Sequence, residues 1–205
     1  MDLKKHWENV SPGWRHVIKN VPQDKQKRLI FNFNEYFINP IGEEHIKSSL
    51  DWGCGGGLLT KELSSFSQTS VLDISEDSLK ECEVYARPYY KQLISNNLEE
   101  FVWDGLPVDL ILCHALVWHF PTLDYFKQIV NIWKKINPKY IAFNIKTIGE
   151  GIKETENYST QFLQALTQSE KSTEEIMKGV GYKVNSKNLI KTGVQPQTYY
   201  TFTNE

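Results

Sequence analysis

Four glycines stand within five residues in the run Asp51-Trp52-Gly53-Cys54-Gly55-Gly56-Gly57, between a short apolar stretch ending at Trp52 and a helical pattern that opens near Leu58. Glycine tolerates positive φ and carries no Cβ, so a chain turning on such residues brings bare backbone close to whatever lies beyond the preceding strand. For a turn that serves packing alone, four glycines are a costly loss of chain order. The order strand, turn, helix places the run where open α/β sheets bind ligands, at the carboxyl end of a strand. Two nucleotide patterns fail here. The dinucleotide fingerprint G-x-G-x-x-G meets Leu58 or Thr60 where its third glycine belongs, and no Gly-Lys-Ser/Thr follows as a P-loop requires.

Around this turn the chain alternates between strand and helix patterns. Strands are expected at Leu50 to Trp52, Ser70 to Ile74, Gln92 to Ser95, Val108 to Cys113 and Tyr140 to Ile145, with helices from Leu58, from Asp77 to Tyr85 and over Leu123 to Trp133. In the last of these, Leu123, Phe126, Ile129, Val130 and Trp133 share one face and Pro138 follows the end. Such alternation predicts a parallel sheet covered by helices on both faces. Ser172-Thr173-Glu174-Glu175 reads as a capping box opening a helix that closes near Gly181. Val184 to Ile190 and Thr198 to Phe202 then form an antiparallel hairpin completing one edge. Before Ser48, Pro22 starts a helix on which Leu29, Phe33, Tyr36 and Phe37 recur until Asn39-Pro40 stops it. This helical cap either packs on the sheet alone or also roofs a substrate pocket. The expected layout is one domain over 1–205: a cap at 1–47, a cofactor-binding core at 48–146 and a C-terminal half at 147–205.

Composition narrows the function classes. A formal charge of −2 with scattered basic residues lacks the electrostatic footprint of a nucleic-acid binder. Val108 to Phe120 is too short and too polar to span a membrane, and the polar start Met1 to Glu8 cannot act as a secretory signal, so the mature chain is expected to begin there. Cys54, Cys82 and Cys113 are odd in number and widely spaced, which signals neither a disulfide framework nor a zinc site and fits a reducing cytoplasm. His6, His16, His45, His114 and His119 contain no i, i+4 pair on a helix, so no metal is expected. A small acceptor is favoured, without nucleic acid or membrane; no signal for an oligomeric state is present.

The segment Leu50-Asp51-Trp52-Gly53-Cys54-Gly55-Gly56-Gly57 resembles motif I of the class I S-adenosylmethionine-dependent methyltransferases, an acidic residue and G-x-G-x-G after a hydrophobic strand. Val71-Leu72-Asp73-Ile74-Ser75 is similar to the family's next landmark, an acidic residue ending the second strand. There Asp73 would accept both ribose hydroxyls of the cofactor. Taken alone, Asp73 reads equally as a cap for the helix at Asp77. Ile94-Ser95-Asn96-Asn97-Leu98-Glu99-Glu100 resembles the segment after the third strand, with Asn97, or by a one-residue shift Asn96, in place of the adenine-binding aspartate. Val108 to Pro121 resembles the fourth-strand segment, whose Leu-Glu-His pattern carries Trp118 in place of the glutamate.

The resemblance, over Ser48 to Lys146, implies a Rossmann-like, mostly parallel, seven-stranded α/β sheet and S-adenosyl-L-methionine as cofactor. It implies a cofactor site of Asp51, Gly53, Cys54, Gly55, Gly57, Asp73, Ile74, Asn97, Leu98 and Cys113. Cys54 and Cys113 take positions of small residues in the family, so packing rather than nucleophilic chemistry is their reading. His119, with His114 second, falls where the family's motif faces the methyl group, either as a base or as an acceptor-positioning group. Methyl transfer is a displacement at carbon and requires alignment and proton removal, not metal. Trp52 and Trp133 read as core. Trp7 and Trp14, with Arg15 and His16, are expected to close over the cofactor. The absence of an Asn-Pro-Pro-Tyr-type sequence weakens the case for adenine or glutamine acceptors. The favoured reading is a methyltransferase acting on oxygen or nitrogen of a small molecule. A catalytically silent cofactor-binding regulatory subunit is the alternative, and a nicotinamide oxidoreductase is disfavoured by the missing glycine.

Overall fold

The computed structural model describes residues 21–95, 97–148, 166–191 and 196–205. In chain order its strands are β1 (Ser48–Trp52), β2 (Gln68–Asp73), β3 (Tyr90–Leu93), β4 (Leu110–Cys113), β5 (Tyr140–Lys146), β6 (Lys183–Ile190) and β7 (Gln197–Thr203). The helices are α1 (Gln23–Phe33), α2 (Leu58–Leu63), α3 (Glu76–Ala86), α4 (Leu123–Ile136) and α5 (Glu170–Gly179). The strands form one sheet in the order β3-β2-β1-β4-β5-β7-β6. The first five run parallel, and β7 enters antiparallel between β5 and β6. This is the expected mostly parallel Rossmann-like sheet with an antiparallel C-terminal hairpin. After β1 the chain builds outward through β2 and β3 on one side, then returns to lay β4 and β5 on the other. The carboxyl end of β1 is thus the switch point, where the connections diverge and leave a crevice.

Both faces of the sheet are buried. In β4, whose residues are all apolar, Leu110 and Leu112 join Phe33, Phe37 and Ile38 of the cap, whereas Ile111 and Cys113 join Phe126, Ile129 and Trp133 of α4. That alternation is the period-2 geometry of a strand with a hydrophobic layer on each side. Trp52 and Trp133 meet edge to face at 5.9 Å between centroids, both in the core. No helix among the described residues is long and apolar enough to cross a membrane.

Three local expectations change. The cap helix is not uniform: after Phe33 it widens into a π turn over Asn34–Ile38, closed by the Asn39 N–H donating to the Asn34 carbonyl at 2.8 Å. The wider turn rotates Phe37 and Ile38 together into the core, whereas Tyr36 stays half-buried. The helix α5 begins one turn before the expected capping box, because Ser169 takes the Ser172 N–H at 3.1 Å and the Thr173 hydroxyl donates back to the Ser169 carbonyl at 3.0 Å. Strand β3 starts and ends two residues early, and Ile94 still donates its N–H to the Asp73 carbonyl at 3.0 Å.

Helix α4 is fixed at both ends: the Thr122 hydroxyl accepts the Tyr125 N–H at 3.1 Å, and Asn137 in the left-handed region precedes Pro138. Thr122→Ala should therefore destabilise the protein by about 1 kcal/mol. Urea unfolding checks this, and an unchanged midpoint would mean that the cap contributes nothing.

Candidate active site

The glycine turn leaves β1 through three left-handed residues, Gly53 at φ 80°, Gly55 at 52° and Gly57 at 88°. Two of these positions also leave no room for a side chain. A Cβ on Gly53 would stand 2.4 Å from Leu116 Cδ2, and one on Gly57 would stand 2.8 Å from Cys82 Sγ. The turn is tied to β2 by the Gly53 and Cys54 N–H groups, which donate to the Leu72 carbonyl at 2.7 and 3.2 Å.

Asp73, at the end of β2, holds both sides of the crevice. Its Oδ2 accepts the Gly55 N–H and its Oδ1 the Ser75 N–H, each at 2.9 Å. The helix-capping role open to Asp73 in the sequence falls to Ser75, whose hydroxyl accepts the Ser78 N–H at 3.3 Å. Asp73 lines a cavity of about 250 Å³ with Gly53, Gly55, Ile74 and His119. Ser75, Ser78, Ile94, Ala115, Leu116, Phe120, Tyr125 and Ile129 also line it, and sequence reasoning did not single these out. Their signals were weak: Ser75 stands at an N-cap spacing before Ser78, and Tyr125 lies in the first turn after Thr122.

The end of β4 separates the two histidines. His114 continues the strand's alternation onto the cap-helix face, its ring 6.0 Å from Phe37 and 6.3 Å from Tyr199. Ala115 then adopts φ 57°, a left-handed conformation costing a non-glycine residue about 1–2 kcal/mol. Its N–H is held at 2.7 Å by Oδ1 of the fully buried Asn144 on β5, which over-determines the bend. Beyond the bend, the 3-10 turn Val117–His119 carries His119 to the larger cavity. Trp118, in place of the glutamate, is buried under the Lys146 ammonium, which lies 5.1 Å from its ring centroid.

A second cavity of about 160 Å³ lies on the other side of Gly53, between the glycine turn and the cap, lined by Asp51, Cys54, Leu29 and His114 among others. The ionisable side chains there, Asp51, Cys54 and His114, are desolvated. Burial pushes the Asp51 carboxyl up to about 7, against the lowering effect of the Thr60 hydroxyl that donates to Oδ2 at 2.6 Å; the Asp73 charge adds to the rise. Burial lowers His114 to about 4, so its imidazole is neutral near pH 7, and its Nε2 has no hydrogen-bond partner among the described residues. The Cys82 thiol and burial push Cys54 up, and burial pushes Cys113 up, which disfavours thiolate at both positions.

Of the residues singled out in the sequence, Gly57, Leu98, Cys113 and Asn97 line neither cavity. Leu98 and Cys113 are buried in the core. Asn97 is exposed, and its Oδ1 accepts the Glu99 N–H at 3.2 Å. Asn96, His6, Trp7, Trp14, Arg15 and His16 lie outside the described residues. Among the described residues no three side chains are grouped to hold a metal ion.

A parallel sheet with an antiparallel strand inserted at one edge, a glycine turn at the switch point and an acid ending β2 define the class I methyltransferase fold. Residues 50–136 match the family model described as a methyltransferase domain. Magnesium protoporphyrin IX methyltransferase of Synechocystis PCC 6803, with bound SAH, is similar in structure: 13% identity, TM-score 0.66, 98% of this chain and 94% of that one covered. A SAM-dependent methyltransferase of Leishmania major superposes with TM-score 0.73 at 18% identity, covering 98% and 81%. The N-methyltransferase NodS of Bradyrhizobium japonicum WM9, in complex with S-adenosyl-L-homocysteine, gives TM-score 0.61 at 11% identity, covering 97% and 90%. No curated protein sequence matches the chain. Residues 50–136 thus match a methyltransferase domain, within a chain that has the class I methyltransferase fold.

Asp51→Asn keeps an acceptor for Thr60 but cannot titrate. The parent carboxyl binds its proton more tightly folded, at about 7, than at the 3.8 of an unperturbed aspartate. Stability from that protonation is present at low pH and is lost as pH rises through about 7. The Asn variant should therefore gain on the parent between about pH 4 and pH 8, by up to a few kcal/mol. Equilibrium unfolding across that range tests it, and a difference independent of pH would contradict the assignment.

Proposed function

We propose that this methyltransferase transfers the methyl group of S-adenosylmethionine to an oxygen or nitrogen of a small-molecule acceptor. The observation that carries the reading is Asp73, which grips the glycine turn through Gly55 while lining the larger cavity. Each carboxylate oxygen that accepts one backbone N–H retains capacity for a second donor, so the pair can also take the two ribose hydroxyls. Ile74 and Ile94 supply apolar walls for the adenine beside it. Asp51, Gly53 and Cys54 then fall under the cofactor's amino-acid end. Such a placement leaves the sulfonium over the glycine turn, next to the end of β4.

In the reaction the acceptor's lone pair forms a bond to the methyl carbon as the carbon-sulfur bond breaks. The electrons of that bond remain on sulfur as a neutral thioether, and the acceptor's proton leaves to a base. His119 is that base or the group that orients the acceptor; His114 stands on the opposite face as the next candidate. The buried thiols of Cys54, Cys82 and Cys113 fit a reducing cytoplasm.

The purified protein should bind S-adenosylmethionine and S-adenosylhomocysteine but not NAD. Asp73→Ala should weaken that binding by about 1.5–3 kcal/mol, the range for hydrogen bonds to a charged group. Calorimetry decides, and parent-like affinity in the variant would move the ribose elsewhere. With an acceptor found by metabolite screening, His119→Ala should slow turnover by about 10²–10⁴-fold with little change in cofactor affinity. Activity kept in His119→Asn but lost in His119→Ala would assign orientation only. Full activity in both would remove His119 from the mechanism. Cofactor binding with no turnover on any acceptor would favour the silent regulatory subunit.

A further inference from the structure

The larger cavity has a polar group for which neither the glycine turn nor Asp73 accounts. Tyr125 is the third residue of α4, set by the Thr122 cap, with its ring against Phe120 at 5.3 Å between centroids. Tyr125 and, one turn on, Ile129 line the cavity. Both belong with Ile74 and Ile94 to one apolar cluster, so the residues that follow β2 and β3 and the start of α4 frame a single slot beyond Asp73. The Tyr125 hydroxyl makes no hydrogen bond to any described residue. Tyr125 is half-buried at the cavity wall, so its hydroxyl is available to a ligand bound there, as donor or acceptor. The other polar groups nearby are engaged: both Asp73 oxygens hold backbone N–H groups, and the Ser75 hydroxyl caps α3. In the segment after β3, Asn97 lies outside the cavity.

We infer that the Tyr125 hydroxyl reads the polar edge of the cofactor's adenine, in the role that the family resemblance gives to Asn97 or Asn96. The inference rests on the placement of adenosine in the larger cavity. A base stacked between apolar side chains turns its edge, with ring-nitrogen acceptors and an exocyclic amine donor, toward the slot's wall. A phenol hydroxyl can meet either kind of group, since it both donates and accepts. Burial holds Tyr125 up to about 12, so it remains a neutral hydroxyl across the physiological range.

The test is calorimetric titration of the full chain with S-adenosylhomocysteine and with 5′-methylthioadenosine, which keeps the base and ribose but lacks the amino-acid end. Tyr125→Phe retains the ring and should lose about 3- to 10-fold in affinity for both ligands, the worth of one hydrogen bond. Asn97→Ala should leave both within twofold of the parent. Thermal unfolding of the unliganded variants verifies that each is folded. Parent-like binding of both ligands by Tyr125→Phe overturns the inference, as does a loss confined to S-adenosylhomocysteine, which would assign the hydroxyl to the amino-acid end. A loss in Asn97→Ala that matches Tyr125→Phe also overturns it. Asp73→Ala separates the two levels: if it binds 5′-methylthioadenosine like the parent, the placement of adenosine itself fails, whatever Tyr125 does.

Discussion

The Asp73 carboxylate joins the ends of two neighbouring strands, and the rest of the site is arranged around that junction. One oxygen fixes the glycine turn after β1 and the other fixes the first residues after β2. Without such a clasp, a turn of four glycines would populate many conformations, because glycine has the largest backbone entropy to lose. The parallel pairing of β1 with β2 brings the two segments into register, Trp52 opposite Leu72, so the carboxylate meets the turn without distortion. The crevice of the α/β sheet and the carboxylate at its edge are therefore consequences of one strand pairing.

A second constraint sets what surrounds the reacting centre. β4 is buried on both faces, so His114, the next residue in alternation, is carried to the cap side and desolvated. The left-handed bend at Ala115, held by Asn144, then sends the chain to the opposite face and brings His119 to the larger cavity. Two histidines five residues apart thus line different cavities, both of which Gly53 borders. The strain at Ala115 is located at the rim of the site, where a conformation of this kind serves to direct side chains.

Beneath the glycine turn, the protein accommodates a carboxyl group in a nearly water-free position. The Thr60 hydroxyl compensates Asp51 in part, but burial dominates, and the Asp73 charge adds a smaller rise. An acid held near neutrality beneath the glycine turn is a source of instability above that pH, and it makes the folded protein sensitive to pH.

Much of this architecture was legible in the residues. Strand and helix periods, the glycine run, Asp73 and the apolar stripe of α4 depend on local chemistry, and these placed the sheet, the turn and the acidic partner correctly. The capping box at Ser172 failed because two overlapping serine caps are available to one helix, and only the contacts of Ser169 and Thr173 select between them. Asn97 and Tyr125 show the same limit in the site. Sequence alignment of a segment locates Asn97 along the chain, but whether its side chain enters the cavity depends on where the 3-10 turn at Leu98 faces. Tyr125 reaches that cavity only because α4 crosses from the far side of β4, a contact between distant segments that no local pattern encodes. The sequence by itself determined the fold class and the glycine turn with its acid. Tertiary structure decided which side chains share a chamber, since that depends on the packing of elements against each other.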